Sequence, residues 1–294
     1  MKKYILIYNP VSGDAKFKLK LDEVVEYLQM NDGIVLTFRT RYKGDIRPFI
    51  KEAKEFASDG IIVSGGDGTV HEVINAMMTE AVDVPLGIIP SGTCNDFAGY
   101  LNFHKNIPGC LSAVTSGKWR MVDVGKVNGE YFLNVASAGL LTSVAHNVDT
   151  ALKNTLGRMA YYFKGLGELP NFQSLHVSIT ADGQTFSENI LLFLVMNSGV
   201  VGSFPPLAPE AKIDDGKLDI LIVNKCSISE LMGLFISIFS GRHTLSSHIR
   251  HLQATDIYIE CNEPIESDLD GELGPPLPLA ISTVTKKLRV FQLP

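Results

Sequence analysis

Cysteine is scarce and scattered. Four occur in 294 residues, Cys94, Cys110, Cys226 and Cys261, with no Cys-x-x-Cys pair. That argues against a disulfide frame or a thiolate metal centre and fits the reduced thiols of a cytosolic protein. Positive charge is not in surplus either: 26 Lys and Arg face 32 Asp and Glu, for a net charge of −6 and a pI near 5.7. This balance argues against nucleic acid as the main partner and against broad attraction to an anionic membrane. Long apolar runs are missing. The N-terminal run stops at Tyr8-Asn9-Pro10, too short for a signal h-region, and residues 231–239 fall far below the length that crosses a bilayer. Two phosphate-binding patterns are absent as well. No Gly-x-x-x-x-Gly-Lys-Ser/Thr supplies a P-loop lysine, and no Gly-x-Gly-x-x-Gly marks a dinucleotide fold.

What the chain has is apolar residue, 45% of the total against 20% charged, enough to core one large domain or two of ordinary size. The stretch Ile61-Ile62-Val63-Ser64-Gly65-Gly66-Asp67-Gly68-Thr69-Val70 organises the rest. An apolar run that reads as a buried strand ends in glycines, and Val70, Val73, Ile74 and Met77 then recur at helical spacing. Glycines at such a turn allow positive φ and let a ligand approach bare backbone. The unpaired N–H groups of the helix N-terminus suit a phosphate. Asp67 is foreign to an anion site unless it orients the loop or meets a cation. A tight turn with Asp as a helix cap is the plainer alternative.

Around this stretch, strands are expected at 3–8, 34–39, 60–64 and 85–90, and helices over 19–28, 45–57 and 69–79. The alternation implies βαβ units and a parallel sheet with helices on both faces. Ligands of such sheets bind outside the carboxyl ends of the strands. Asn9, Thr40, Gly65, Gly66, Asp67, Gly68, Thr69 and Thr93 all fall just after those ends, so four loops share one edge. The turn Ser91-Gly92-Thr93-Cys94-Asn95-Asp96 would read as ordinary helix caps alone, and gains weight from lying on that edge.

After about residue 120 the pattern changes. Asn128-Gly129 is a hairpin signal followed by a strand at 131–135. A helical stretch covers about 140–167. Strands at 173–181, 185–196, 217–223, 252–260, 276–283 and 287–292 read as an antiparallel sandwich-like sheet. The division therefore falls near 123, giving an α/β domain over 1–123 and a β-rich domain over 124–286, with 287–294 free to return to the first. Residues 228–239 are apolar almost all round, a packed helix or one that touches a membrane, and Arg242, His243, His248, Arg250 and His251 follow it. In Glu266-Ser267-Asp268-Leu269-Asp270-Gly271-Glu272 acids recur at every second residue. Extended, they would share one face; Asp270-Gly271 can instead be a turn. Ala211-Lys212-Ile213-Asp214-Asp215-Gly216-Lys217 reads most simply as a turn before a strand.

Asn9-Pro10-Val11-Ser12-Gly13, Gly65-Gly66-Asp67-Gly68-Thr69 and Gly92-Thr93-Cys94-Asn95-Asp96, in that order and spacing, resemble the diacylglycerol kinase catalytic domain family in its bacterial lipid-kinase branch. The second motif is shared with sphingosine and NAD kinases; the third favours lipid kinases. One departure is His71, where the family often has Asn.

The resemblance covers essentially the whole chain. It implies an α/β nucleotide domain facing a β-rich lipid-substrate domain across a cleft, with ATP and Mg²⁺ as cofactors. It makes Glu272 the general base for the acceptor hydroxyl, with Asp270 and Asp268 as orienting partners, and gives Asp67 a part in catalysis. Asn9, Thr40, residues 65–69 and Thr93 would hold ATP. Asp215 would hold a Mg²⁺ with the carbonyls of Lys212 and Lys217. The expected activity is ATP-dependent phosphorylation of a lipid hydroxyl, first of all diacylglycerol to phosphatidic acid. Sphingoid base or phosphatidylglycerol stands as the alternative acceptor, and NAD kinase or a non-catalytic nucleotide-binding protein as the remoter readings. The expected setting is cytoplasmic, peripheral to the inner face of the cell membrane, with a homodimer left open.

Overall fold

The computed structural model describes residues 1–103, 106–139, 174–202 and 204–293; the helix expected at 140–167 lies outside the described residues. The first four strands, β1 (Lys2–Tyr8), β2 (Gly33–Arg39), β3 (Gly60–Gly65) and β4 (Leu86–Pro90), run parallel in the order β2–β1–β3–β4. Leu6, Ile7, Ile61, Ile62 and Leu86 are fully buried, as strands covered on both faces require. The cover comes from α1 (Leu21–Met30), α2 (Ile46–Ala53), α3 (Asp67–Thr79), the short α4 (Asp96–Tyr100) and α5 (Ile107–Ser116). α2 packs on α3 and α1 on α5. The sequence pattern did not single out α5, which Asn106 caps through its side chain with Pro108 in the first turn.

The remaining strands are antiparallel to their neighbours apart from one seam. They are β5 (Trp119–Val127), β6 (Glu130–Phe132), β7 (Val135–Gly139), β8 (Leu175–Ala181), β9 (Gln184–Met196), β10 (Leu218–Asn224), β11 (Ile249–Ala254), β12 (Asp256–Cys261), β13 (Glu266–Leu269), β14 (Glu272–Pro276) and β15 (Leu279–Phe291). The seam is β15. It pairs antiparallel with β5 and β12, and at Val290 it meets Leu86 of β4 in parallel. One hydrogen-bonded path thus runs β14-β13-β7-β9-β8-β12-β15-β4-β3-β1-β2. The two strands expected at 276–283 and 287–292 are one strand with a register shift between Val284 and Leu288. There Lys286 takes a left-handed φ of 47°, and its N–H goes to Asp123 Oδ1. The strand expected at 252–260 is two, because the N–H groups of Thr255 and Asp256 are taken by the Asp182 carboxylate at the junction.

β9 from Ile190 onward and β10 are buried on both faces. Ile190, Phe193, Val195, Ile220 and Ile222 belong to the core of the β-rich half. Leu192, Leu194, Met196, Leu221 and Val223 pack instead against Leu231, Leu234 and Phe235 of α6 (Ile228–Phe239). The packed-helix reading of this stretch therefore holds for its inner face, while Ile236 and Phe239 remain 66% and 50% exposed.

Candidate active site

The chain leaves β3 at Gly65 and enters α3 at Asp67. The glycines of this turn are not there for positive φ, the reason the sequence first suggested: none of Gly65, Gly66 and Gly68 has it. Gly66 is instead bare because a neighbouring loop lies on it. A Cβ on Gly92 would stand 2.3 Å from Gly66 Cα, so the two strand-end turns touch backbone to backbone. Asp67 ties them further. Its Oδ2 accepts the Asn95 N–H and its Oδ1 the Asp96 N–H, both at 2.8 Å. Asn95, left-handed at φ 57°, closes its own turn by bonding both the N–H and the carbonyl of Gly92. Burial and the nearby Asp96 charge push the Asp67 carboxyl up to about 6, against the two backbone donors that favour its ionised form. On the same edge, Asn9 donates from Nδ2 to Thr69 Oγ1 (3.2 Å) and accepts from the Val11 N–H, and the Thr40 N–H reaches the Tyr8 carbonyl.

The acidic stretch is a hairpin, not one extended face. Asp270 (φ 54°) and Gly271 (φ 90°) turn the chain between β13 and β14, with Leu269 paired to Glu272. The acids consequently part. Asp268 accepts the Gly271 N–H. Asp270, its side chain 5% exposed, takes the N–H groups of Leu133, Asn134 and Val135 (2.8 to 3.0 Å) and faces His71 Nδ1 at 3.1 Å. This capture is why the strand expected at 131–135 breaks into β6 and β7. Burial disfavours the His71 imidazolium, but the Asp270 hydrogen bond and the charges of Asp270, Glu272 and Glu130 outweigh it, and its pKa is raised. Asn75, one turn along α3, pairs with both backbone groups of Tyr131 as a strand would (2.8 and 2.9 Å). Gly202 donates to Asp96 Oδ2 at 2.5 Å, and Asn134 and Asn197 bond onward to Val200 and to Asp123 and Leu133.

These ties bring Glu272 onto the glycine turn. A Cβ on Gly68 would lie 2.2 Å from Glu272 Oε1, and Oε2 pairs with Lys43 Nζ at 2.5 Å. Two cavities meet at that point. The larger, about 830 Å³, is lined by Asn9, Thr40, Thr69 and a basic strip of Arg39, Arg41, Lys43 and Arg47. The smaller, about 380 Å³, is lined by Asp67, Thr93, Asp268 and Asp270 and by apolar residues including Val135, Leu194, Phe204 and Leu207. Gly66, Gly68, His71 and Glu272 line both. The arrangement is one wall of backbone amides and a carboxylate between a charged chamber, where Glu72 and Glu130 line the wall beside the basic strip, and a largely apolar one. It can bring an anionic donor and an apolar acceptor to a shared base.

Not every expected residue joins this wall. Thr93 stands in the smaller cavity, apart from Asn9 and Thr40, and Gly65 is buried at the strand end. Lys212, Asp215 and Lys217 line neither cavity. Asp215 Oδ1 accepts the Lys217 N–H at 3.0 Å in an exposed loop, and among the described residues no cluster of three or more His, Cys, Asp and Glu could hold a metal. Lys43, Asn75 and Asn134 were not legible in the sequence. A lysine after a strand or an asparagine inside a helix carries no signal until the partner element is placed opposite.

The diacylglycerol kinase catalytic domain model matches residues 3–127, and the YegS C-terminal NAD kinase beta sandwich-like domain model matches 134–292. A Bacillus subtilis relative named diacylglycerol kinase is 37% identical over 279 residues, 95% of this chain and 92% of its own. A Staphylococcus aureus relative of the same name is 33% identical over 290 residues, 99% of this chain and 92% of its own. A crystal structure described as a diacylglycerol kinase from Bacillus anthracis is similar across 100% of this chain and 98% of its own, with 31% identity and a TM-score of 0.84.

Proposed function

The chain belongs to the diacylglycerol kinase family and is a lipid kinase that uses ATP, and on that premise we propose that it phosphorylates diacylglycerol to phosphatidic acid. The observation that carries the reading is Glu272 on Gly68, at the junction of a cavity with a basic strip and a largely apolar one. ATP would occupy the larger cavity, its phosphates on the amides of Gly66, Gly68 and Thr69 at the start of α3. Asn9 and Thr40 would border the nucleotide. The glycerol hydroxyl would enter from the apolar side. Its oxygen attacks the γ-phosphorus, one O–P bond forms, the bond to the bridging oxygen breaks, ADP leaves, and the hydroxyl proton passes to Glu272. Asp67 and Asp270 have their oxygens on backbone N–H groups, so their part is to hold the loops that carry the site, Asp67 the two strand-end turns and Asp270 the β6–β7 junction, with His71 linking Asp270 to α3.

Mg²⁺ would neutralise phosphate charge when bound with ATP. The all-oxygen set of Asp215 and the carbonyls of Lys212 and Lys217 suits that ion at a second, structural position.

A lipid acceptor has to be taken from a bilayer, and among the described residues no helix is long and apolar enough to cross one. We therefore favour peripheral action at the cytoplasmic face of the membrane. Phe204, in the wall of the apolar cavity, lies 6.2 Å between ring centroids from the half-exposed Phe239 of α6, which offers a route from surface to site.

The test is ATP-dependent label transfer to diacylglycerol, sphingosine, phosphatidylglycerol and NAD side by side, each lipid presented in vesicles, with Glu272→Gln alongside. Diacylglycerol should be labelled fastest. The variant should bind ATP normally while turnover drops by roughly 10²–10⁴. Preferential labelling of another acceptor would overturn the substrate, and normal turnover by Glu272→Gln would overturn the base.

A further inference from the structure

We propose that Lys43 is the cationic arm of this kinase, paired with the general base while the nucleotide site is empty and transferred to the γ-phosphate when ATP binds. The inference rests on the kinase reading above and deepens it.

Its starting point is a deficit. Phosphoryl transfer accumulates negative charge beside the glycine turn, and kinases normally bring a lysine or arginine to it. The turn here contains no lysine or arginine and neither does α3, whose one histidine, His71, is engaged by Asp270. The strip from the end of β2 into the first turn of α2 contains four, Arg39, Arg41, Lys43 and Arg47, all lining the larger cavity, in a chain whose net charge is −6.

Of these four, Lys43 is the one at the reacting end. Arg41 is held by Asp45 and Arg47 by Glu80. Lys43 alone meets Glu272, the carboxylate that lines both cavities, and does so over the glycine that would receive the phosphates.

Lys43 is also built to move. Its side chain is 74% exposed, so packing does not hold it. Its backbone, in contrast, is fixed: the neighbouring N–H groups of Gly44 and Ile46 are both taken by Glu72 of α3 (2.8 and 3.3 Å). A flexible four-carbon stem on a fixed base swings a compact ammonium between nearby anions. Two consequences follow. In the empty site the ammonium compensates a carboxylate that would otherwise repel incoming phosphates. In the loaded site its departure leaves Glu272 Oε2 free for the acceptor hydroxyl while the charge goes to the transferring group. No covalent step is added to the reaction.

The experiment compares Lys43→Met and Lys43→Arg with the wild-type enzyme, by equilibrium binding of ATP and of ADP and by steady-state transfer to a lipid acceptor. An arm that reaches the γ-phosphate discriminates ATP from ADP. Lys43→Met should therefore weaken ATP by about tenfold, the scale of one charge-assisted hydrogen bond, and change ADP by less than about twofold. The kcat should fall as well, and Lys43→Arg, which keeps charge and reach, should restore ATP affinity to within about threefold. Equal weakening of ATP and ADP, or no change in either, would overturn the proposal. The binding arm is independent of turnover. A wild-type enzyme that labels no lipid would strike the kinase reading, while the ATP-to-ADP ratio would still decide the role of Lys43.

Discussion

Replacing Gly68 with alanine should separate activity from stability. Gly68 is the second residue of α3 and does not have positive φ, so alanine fits its backbone without strain. Alanine also favours a helix over glycine by about 0.8–1 kcal/mol at an interior position, and by less in the first turn. The new methyl, however, would stand 2.2 Å from Glu272 Oε1 and 3.2 Å from its carboxyl carbon, where ordinary contact begins at 3.4 Å. The atom it meets is the tip of a flexible side chain, so the carboxylate retreats and the backbone does not. The retreat is about 1 Å, and a misplacement of that size in a reacting group costs on the order of 10²-fold in rate. Gly68→Ala is thus expected to unfold at the wild-type temperature or slightly above it, with kcat lower by about 100-fold. Thermal unfolding, kcat and KM should be read on one preparation. The coupling can be isolated with Glu272→Asp, whose shorter side chain leaves room for the methyl: on that background Gly68→Ala should cost little further activity. Wild-type kcat in a stable Gly68→Ala protein would refute the placement of the base on this turn. A rise in KM for ATP with kcat intact would assign the clash to the nucleotide instead.

Two further perturbations follow from the carboxylates that tie the site's loops together. The Asp67 carboxyl titrates at about 6, above the ordinary 3.8, so the fold favours its protonated form: the stability it contributes is present below 3.8 and lost as pH rises through about 6. The ionised form is the one that best accepts the Asn95 and Asp96 N–H groups, so kcat/KM for ATP should rise through pH 6, and Asp67→Asn should lack that limb. A limb near 6 that persists in the variant would refute the assignment. Asp270→Ala would leave the Leu133, Asn134 and Val135 N–H groups without their acceptor. Urea unfolding should show a loss of about 3 kcal/mol or more. Asp270→Asn, which keeps an acceptor and tolerates the left-handed φ, should lose less; a loss under about 1 kcal/mol in the alanine variant would count against the tie.

The legible parts of this protein were those governed by local spacing. Apolar runs ending in glycine or polar turns marked β1 to β4 and put Asn9, Thr40, the glycine turn and Thr93 along one sheet edge, because strand and helix periods are properties of neighbouring residues. The helix at 228–239 was legible for the same reason, while its capping by Ser227 and Glu230 was seen only in the structure. Tertiary structure decided the pairing between distant segments. Nothing near Glu272 in the chain says that it will rest on Gly68, that Lys43 will meet it, or that Asp270 will collect the amides of residues 133–135, more than 130 positions earlier in the chain. The alternating acids could be one charged face or an Asp-Gly turn, and the left-handed pair Asp270-Gly271 made them the turn, giving Asp268, Asp270 and Glu272 different partners. A sequence encodes its periodicities within a few residues. A shared base between two cavities exists only where separately encoded elements are brought to hydrogen-bonding distance, and there the register of the sheet, not local preference, sets which atoms meet.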